Sequence, residues 1–434
     1  MSFTGKDRVE AALDKPALNQ VFAVFTKIGF LSFGGPAAQI SMMHRYIVDE
    51  KDWLSEKQYL NALSFCMLLP GPEAMQLATY AGWRIRGLIG GLIGGLLFVL
   101  PGAVVMLALA AIYAFYGDVP LITTLFLGIK AAVLIVVIEA LLRVSKKALN
   151  GRIYWLIAAV AFVGIFFFSI PYPLIVFIAA IWGGILGVRD QEASRIDHSP
   201  AVSVGSTFKT ISAWLAIWWL PVVLVYLFTE SQILTEIALF FSKLAVVTFG
   251  GAYAVLAYMG QDVVSQFGWL KPGEMIDGLG LAETTPGPLI LVTEFVGFIA
   301  AFRQGGFLVG LAGATLTLWV TFIPCFLWIF AGAPYIDWIS AQPRLAGALQ
   351  AITAAVVGVI LNLSVWFGLH VLFENVKMER FGILTLWSPE LASIDRHVVV
   401  LSLLCGVLLL KFHWNIVWVL FASALCGLAL VNLA

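Results

Sequence analysis

The sequence predicts an all-α protein that crosses a membrane many times and is built from two homologous halves. Hydrophobic residues make up 61% of the 434 residues and charged residues only 12%, whereas about a quarter of a soluble protein is charged. Apolar runs such as 87–116 and 414–434 are long enough to cross a hydrocarbon core of about 30 Å as helices. Their apolar residues are continuous and do not alternate, which excludes a membrane β-barrel.

The second observation is a pattern of residues that recurs after 216 positions without a gap. The first copy consists of Phe25, Lys27, Phe33, Gly34, Gly35, Trp53, Leu54, Pro70, Gly71 and Pro72, and the second of Phe241, Lys243, Phe249, Gly250, Gly251, Trp269, Leu270, Pro286, Gly287 and Pro288. Duplicated hydrophobic segments that are interrupted by Gly and Pro indicate the substrate site of a secondary transporter.

The hydrophobic units follow one another in a regular order. We expect a first repeat over 1–188, a polar cytoplasmic linker over 189–210, an extra transmembrane helix over 211–228 and a second repeat over 229–434. The expected units are 18–50, 57–84, 86–116, 120–145, 154–169 and 171–187 in the first half, and 233–265, 272–301, 305–332, 343–373, 397–411 and 413–434 in the second. If each half returns to its starting side, the extra helix turns the second half over, giving an inverted repeat of thirteen units. The sequence does not decide whether the broken units cross the membrane or form hairpins that return to the same side.

Charge bias predicts the orientation of the first half. Its basic residues fall in alternate loops and in the linker: Lys6, Arg8, Lys15, Arg84, Arg86, Arg143, Lys146, Lys147, Arg152, Arg189, Arg195 and Lys209. The positive-inside rule then places the N-terminus and the linker in the cytoplasm. Residues 1–17 contain no apolar core, so we expect no cleavable signal peptide. The second half is poorly biased, with Arg303, Lys377, Arg380 and Arg396 expected outside and Lys271, Arg344 and Lys411 inside.

The Gly and Pro breaks predict half-helices whose N-termini face a ligand. Backbone groups freed within a membrane must be satisfied by protein, water or ligand, and Pro is favourable at the first position of a helix. Pro36, Pro72 and Pro288 therefore indicate helix starts, and helix N-termini bind anions. The alternative is that these pairs only kink membrane helices. The predicted substrate-binding breaks comprise Gly34, Gly35, Pro36, Pro70, Gly71, Pro72, Gly250, Gly251, Pro286, Gly287 and Pro288.

Side chains near the breaks supply further candidates. Lys27 and Lys243 occupy equivalent positions and would suit a divalent oxyanion, although both could instead snorkel to an interface. Ser32 and Thr248 precede each Phe-Gly-Gly and could donate to a ligand or to their own helix backbone. Gln76 is a further candidate donor, one turn after the first Pro-Gly-Pro.

Carboxylates at the breaks are candidates for proton coupling. Glu73 directly follows Pro72, Glu283 precedes Pro286 by three residues, and Glu294 lies on the next half-helix. A carboxylate beside an anion in a low-dielectric site can exchange a proton near neutral pH. For Glu73 the alternative is a structural role in complementing the helix dipole.

Several function classes lack support in the sequence. No GxxxxGK[ST] loop is present, so transport would draw on an ion gradient. The scattered His residues and the four Cys in apolar stretches give no metal site. We expect no cofactor and no nucleic-acid partner.

At these residues the chain resembles the chromate ion transporters in their long two-domain form. The matching strings are FGGP (33–36), LPGPEAMQLATYAGW (69–83), FVLPG (98–102), FGGAYA (249–254) and AETTPGPLILVTEFVGF (282–298). The resemblance implies a bacterial inner-membrane carrier with oppositely oriented halves that expels chromate using the proton gradient. Met75 and Glu294 stand where the family is expected to carry amide side chains, which puts substrate preference and coupling in question.

The resulting hypothesis is a proton-coupled exporter of chromate, not an enzyme, with protons, the lipid bilayer and a homodimer as partners to test. Alternatives are an importer or exchanger of sulfate, a passive anion channel and, least supported, an intramembrane phosphatase, since the broken units contain no converging nucleophile and Arg cluster.

Overall fold

The computed structural model describes residues 16–117, 119–186, 204–249, 251–340 and 342–433, and most of them are helical. The helices are α1 (Leu18–Leu31), α2 (Gly35–His44), α3 (Glu56–Leu68), α4 (Glu73–Tyr116), α5 (Pro120–Ala148), α6 (Arg152–Phe168), α7 (Tyr172–Leu186), α8 (Val204–Phe228), α9 (Gln232–Val247), α10 (Ala252–Gln261), α11 (Pro272–Thr284), α12 (Val292–Gly332), α13 (Ile336–Ser340), α14 (Pro343–Leu372), α15 (Arg396–Gly406) and α16 (Ile416–Leu433). Within the described ranges, five stretches are long and apolar enough to cross a membrane: Glu73–Tyr116, Ile122–Ala148, Gly205–Phe228, Leu289–Tyr335 and Pro343–Leu372. The predicted multi-pass all-α fold is confirmed.

The broken units of the first half are re-entrant hairpins. Helix α4 reverses direction at Arg86 and Gly87, where the backbone leaves the helical region, and its first arm (73–85) packs against its second arm (88–116). The Arg86 guanidinium donates to the Pro16 carbonyl at 2.6 Å, so this reversal lies on the face where α1 begins. The end of α2 meets the start of α3, because His44 Nε2 lies 2.6 Å from Glu56 Oε2. We call this side the N-terminal face.

Glycines make the reversal of α4 possible. A Cβ on Gly90 would lie 2.1 Å from the Gly82 carbonyl oxygen, and one on Gly94 would lie 2.4 Å from the Ala78 oxygen. The two arms therefore approach to backbone contact, as small residues permit in membrane helices. The segment 87–95, GLIGGLIGG, supplies the small residues for this packing.

The second half repeats the arrangement from the opposite face. Helix α12 reverses at Gly306, and Arg303 beside that reversal donates to the carbonyl of Trp269, just before α11, at 2.7 Å. Lys271, expected on the cytoplasmic side, therefore lies on the same face as Arg303. The expectation that Lys271 and Arg303 lie on opposite sides is wrong, because α11 and the first arm of α12 re-enter instead of crossing.

The long second arms of α4 and α12 (88–116 and 307–332) run antiparallel. Gly91, near the start of the first, packs against the ring of Phe330 near the end of the second. At the other end, the rings of Phe115 and Phe307 stack with centroids 6.2 Å apart. Homologous arms that run in opposite directions give the inverted repeat. A re-entrant unit enters and leaves at the same face. Each half therefore still returns to its starting side, as the prediction required.

The remaining helices interlock the halves. Helix α5 packs against α15 and α16, and its counterpart α14 packs against α6 and α7. Helix α8 joins the repeats and begins at Val204, earlier than the predicted start at 211. Most of the predicted linker, 189–210, lies outside the described residues.

The sequence analysis did not predict a β-hairpin after α14. Strands β1 (Val376–Phe381) and β2 (Leu384–Pro389) pair antiparallel around a turn at Gly382. Helix α14 starts on the N-terminal face, where α13 contacts α3, so the hairpin lies at the other face. We call that side the hairpin face.

Candidate functional site

The breaks form four tips that meet near the middle of the long arms. We define them as Gly-Gly tip 1 (32–35), Pro-Gly-Pro tip 1 (69–72), Gly-Gly tip 2 (248–251) and Pro-Gly-Pro tip 2 (285–288). A Cβ on Gly102, midway along the second arm of α4, would lie 2.0 Å from the carbonyl oxygen of Pro286. Pro-Gly-Pro tip 2 therefore presses against the centre of that arm. Gly250 lies outside the described residues.

The tips of opposite halves hydrogen-bond to each other reciprocally. The Gly71 N–H donates to the Thr248 carbonyl at 2.9 Å, and the equivalent Gly287 N–H donates to the Ser32 carbonyl at 2.8 Å. Both glycines have positive φ, +111° and +89°, which other residues rarely adopt. The breaks thus satisfy backbone groups that a membrane interior would leave unpaired.

Gln39 reinforces one of these contacts and was missed by the sequence analysis. Its buried side-chain amide donates to the Ser32 carbonyl at 3.2 Å and to the Gly287 carbonyl at 2.6 Å. The equivalent position in the second half is Val255, so the contact has no symmetric copy. The sequence feature that could have identified this residue is a Gln one turn after Gly-Gly-Pro, within a hydrophobic unit.

Glu283 joins the two tips of the second half. It is buried, and the Tyr253 hydroxyl donates to its Oε1 at 2.9 Å. Tyr253 is the second residue after Gly-Gly tip 2, and Glu283 is the second residue before Pro-Gly-Pro tip 2. With the two reciprocal bonds, this contact links all four tips in a series. Arg143 and Glu139 of α5 interact electrostatically with the same carboxylate.

Four helical segments begin at the tips. Helix α2 begins at Gly35 with Pro36 in its first turn, and α4 begins directly after Pro72. Helix α10 begins after Gly251, and a 3-10 turn (Leu289–Leu291) after Pro288 leads into α12. Pro72 and Pro288 are therefore N-caps and not first helical residues as expected. Helix starts present open N–H donors and a positive dipole end.

The hydroxyls of Ser32 and Thr248 bond to their own helices. Ser32 Oγ donates to the Ile28 carbonyl at 2.7 Å, and Thr248 Oγ1 donates to the Leu244 carbonyl. Their proton donors are engaged by the backbone, as the alternative in the sequence analysis held. What these residues offer the opposite half is their main-chain carbonyl.

Glu73 and Gln76 follow Pro-Gly-Pro tip 1. Glu73 is half-buried and interacts electrostatically with Lys147 near the end of α5. Gln76 is buried and donates to the Pro70 carbonyl at 2.6 Å, which closes the tip on itself. Its Oε1 has no partner among the described residues.

Glu294 lies in the first turn of α12 and is 1% exposed. Its Oε2 has no hydrogen-bond partner within the described part of the chain. An ionised carboxylate without a partner is costly to bury, which distinguishes Glu294 from Glu283, whose carboxylate accepts a hydrogen bond from Tyr253.

The two repeated lysines are exposed and lie away from the tips. Lys27 Nζ lies 4.5 Å from the centroid of the Tyr46 ring, and Lys243 Nζ lies 5.7 Å from that of Tyr258. In each case the ring belongs to the segment that returns from the Gly-Gly tip of the same half. Lys243 also lines a polar cavity towards the hairpin face.

A charge pair between α11 and α5 was also missed. Asp277 is 4% exposed and accepts a hydrogen bond from the Tyr113 hydroxyl at 2.8 Å. Lys130 Nζ of α5, which is partly exposed, lies 3.5 Å from its other oxygen. The pair carries no local sequence signal, because it joins residues 147 positions apart.

The remaining predicted substrate-binding residues are Pro70 and Pro286, which lie in Pro-Gly-Pro tip 1 and Pro-Gly-Pro tip 2. No group of three or more His, Cys, Asp or Glu side chains among the described residues could hold a metal ion.

Comparisons with known proteins assign the chain to a family. The family model described as chromate transporter matches residues 19–186 and 235–428, which are the two halves. The chromate transport protein of Pseudomonas aeruginosa is 34% identical over 354 residues, 79% of each chain.

Two further relatives carry related names. A probable chromate transport protein of Synechococcus elongatus is 27% identical over 398 residues, covering 90% of this chain and 95% of its own. The chromate transport protein of Cupriavidus metallidurans is 28% identical over 353 residues, covering 79% and 80%. No solved structure matches. With both halves matched in order and re-entrant tips at the positions of the repeated motifs, the chain belongs to the chromate transporter family.

Proposed function

We propose that the protein is a secondary active transporter that exports chromate from the bacterial cytoplasm in exchange for protons, and thereby confers chromate resistance. The observation that carries this proposal is the series of four linked tips. Two tips come from each face, so a ligand among them lies between two oppositely oriented halves. This is the arrangement from which alternating access follows.

The anion would bind among the helix starts at the tips. A tetrahedral dianion accepts hydrogen bonds in several directions, and helix N-termini supply N–H donors with a favourable dipole. Lys27 and Lys243 lie one to two turns from the Gly-Gly tips. Their role is to raise the local anion concentration on each approach to the site.

The proton would be carried by the carboxyl groups at the tips. Glu294 has an unpartnered oxygen, Glu283 is held by Tyr253, and Glu73 directly follows Pro72. Protonation of a carboxyl group changes the charge that faces the anion. Proton binding and chromate binding at the tips are therefore linked through charge.

The experiment uses purified protein in liposomes that receive external chromate, with and without an imposed pH gradient. We expect the gradient to drive chromate accumulation and Glu73→Gln to reduce gradient-driven transport at least about tenfold, which corresponds to about 1.4 kcal/mol. Glu230→Gln, in the exposed loop before α9, is the matched control and should transport normally.

The same assay distinguishes the alternatives. Chromate movement that only dissipates its own gradient, with or without a pH difference, would identify a channel. Accumulation of sulfate with exclusion of chromate would identify a sulfate carrier. Either result contradicts proton-coupled chromate export.

A further inference from the structure

A polar cavity of about 480 Å³ lies beneath the β-hairpin and between the two halves. Its walls come from the α6–α7 loop of the first half and from α9, α10 and α14 of the second. The charged groups that line it are Lys243, Asp262 and Arg380. Lys243 ties the cavity to Gly-Gly tip 2, since it lies on the helix that leads to that tip.

The hairpin presents one defined face to this cavity. Met378 and Arg380 of β1 line the cavity, as do their directly paired partners Trp387 and Thr385 of β2. Side chains alternate between the two faces of a strand, so Lys377 lies on the other face of β1. Of the two basic residues of the hairpin, Arg380 thus faces the cavity and Lys377 faces away.

Contacts hold the hairpin over the cavity. The hydroxyls of Thr385 and Ser169, at the end of α6, lie 3.1 Å apart. The ring of Trp387 contacts that of His370 on α14 edge-on, with centroids 5.5 Å apart. These two contacts attach the hairpin to the first half at one side and to the second half at the other. Movement of one half against the other must therefore strain or release the hairpin.

The charges of the cavity favour an anion. Lys243 and Arg380 carry two positive charges, and Asp262 carries one negative charge that interacts with Lys243. A concave, partly enclosed surface with net positive charge concentrates anions. The space is larger than one tetrahedral oxyanion, so the ion would retain part of its hydration and bind weakly. Conduction through several sites requires such weak binding.

We propose that this cavity is an anion vestibule on the hairpin face, in which Arg380 and Lys243 hold a tetrahedral oxyanion on its way between the tips and the outside, and the hairpin is its lid. The inference rests on the proposed oxyanion transport. It adds a second binding position that lies outside the four tips and a residue, Arg380, that recognises the anion there.

The first test compares variants of the two basic residues of β1 in liposome transport, with chromate supplied at the hairpin face. We expect Arg380→Gln to raise the half-saturating chromate concentration about fivefold, because one charge is lost from a partly enclosed site. Lys377→Gln removes the same charge from the opposite face of β1 and should stay within about twofold of the unchanged protein.

The second test does not depend on transport. Ser265 is exposed and lines the cavity, so Ser265→Cys can report on ions within it. The native Cys66, Cys325 and Cys405 are buried, and Cys426→Ser removes the remaining partly exposed thiol. We expect an anionic methanethiosulfonate reagent to react faster than a cationic one, and sulfate to slow it. Arg380→Gln should abolish the preference and Lys377→Gln should keep it.

The outcomes separate the two proposals. If the unchanged protein moves no oxyanion, the proposed function fails, and the ratio of thiol reaction rates still decides whether the cavity selects anions. If transport occurs but Arg380→Gln and Lys377→Gln behave alike in both assays, the vestibule is refuted and the transport function stands.

Discussion

At the scale of single residues, the absence of a Cβ decides how closely the tips approach the long arms. Gly102 faces the Pro286 carbonyl oxygen, which a Cβ would meet at 2.0 Å. A backbone carbonyl cannot move aside as a flexible side chain can. The contact between the first half and Pro-Gly-Pro tip 2 therefore depends on this glycine.

Gly102→Ala should lower the free energy of unfolding by about 1–3 kcal/mol, because one carbon is forced into a filled contact. The measurement is thermal unfolding in detergent micelles. Gly205→Ala, in α8, is the control, since its Cβ would meet nothing within 4 Å. That change should be neutral or stabilise by up to about 1 kcal/mol. Equal effects of both substitutions would contradict the close approach.

Gln39→Leu should destabilise the protein by about 1–3 kcal/mol, because two buried carbonyls, of Ser32 and Gly287, lose a donor. It should also lower the rate of chromate transport at a temperature at which the variant remains folded, since the lost bonds join tips of opposite halves. Gln58→Leu, at the exposed cap of α3 where the side-chain oxygen accepts from the Ser55 N–H, controls for loss of an amide elsewhere. Normal unfolding and transport by Gln39→Leu would rule out the bridging role.

At the scale of elements, α11 is held against α5 by an ion pair and by close packing. Asp277, in the middle of α11, lies 3.5 Å from Lys130 Nζ. One turn further on, Gly280 packs so closely against Ile129 that a Cβ would meet its Cγ2 methyl at 2.2 Å. The re-entrant helix that carries Pro-Gly-Pro tip 2 is thus positioned by a membrane-spanning helix.

Asp277→Asn should destabilise the protein by more than Asp277→Asn combined with Lys130→Gln. Removing one partner leaves a charge in a partly buried place, whereas removing both leaves none. A double-mutant cycle on unfolding free energies should give a coupling of about 1 kcal/mol or more. Additive effects of the two substitutions would show that the pair does not hold α11.

The sequence predicted the tips but not what holds them. Gly71, Gly287 and their flanking prolines were identifiable because backbone breaks have a local residue signature. Gln39, Tyr253 and Asp277 were not, because their partners lie far away in the chain and one sequence carries no pairing information. The hairpin signal was the alternation in β1 and β2 around Gly382, hidden between two hydrophobic units.

At the scale of the whole molecule, the orientation of the two faces in the membrane can be tested by thiol labelling. Asn150 lies between α5 and α6 on the N-terminal face, and Ile383 lies at the exposed turn of the hairpin. If the N-terminal face is cytoplasmic, Ile383→Cys should react with a membrane-impermeant thiol reagent in intact cells. Asn150→Cys should react only after permeabilisation. The reverse pattern would place the N-terminal face outside and contradict the orientation expected from the charge bias.

The reciprocal bonds between tips also bear on how such a protein is assembled. The Gly71 N–H finds its acceptor in the second half and the Gly287 N–H finds its acceptor in the first, so neither half supplies the acceptor for the glycine N–H of its own Pro-Gly-Pro tip. A chain that contained a single repeat would therefore need a companion inserted upside down in the same bilayer. Dual-topology insertion, or a pair of genes with opposite charge bias, is the biogenesis that this hydrogen-bond pattern requires of a one-repeat protein. The helix α8 removes that requirement by covalently fixing one upright copy to one inverted copy.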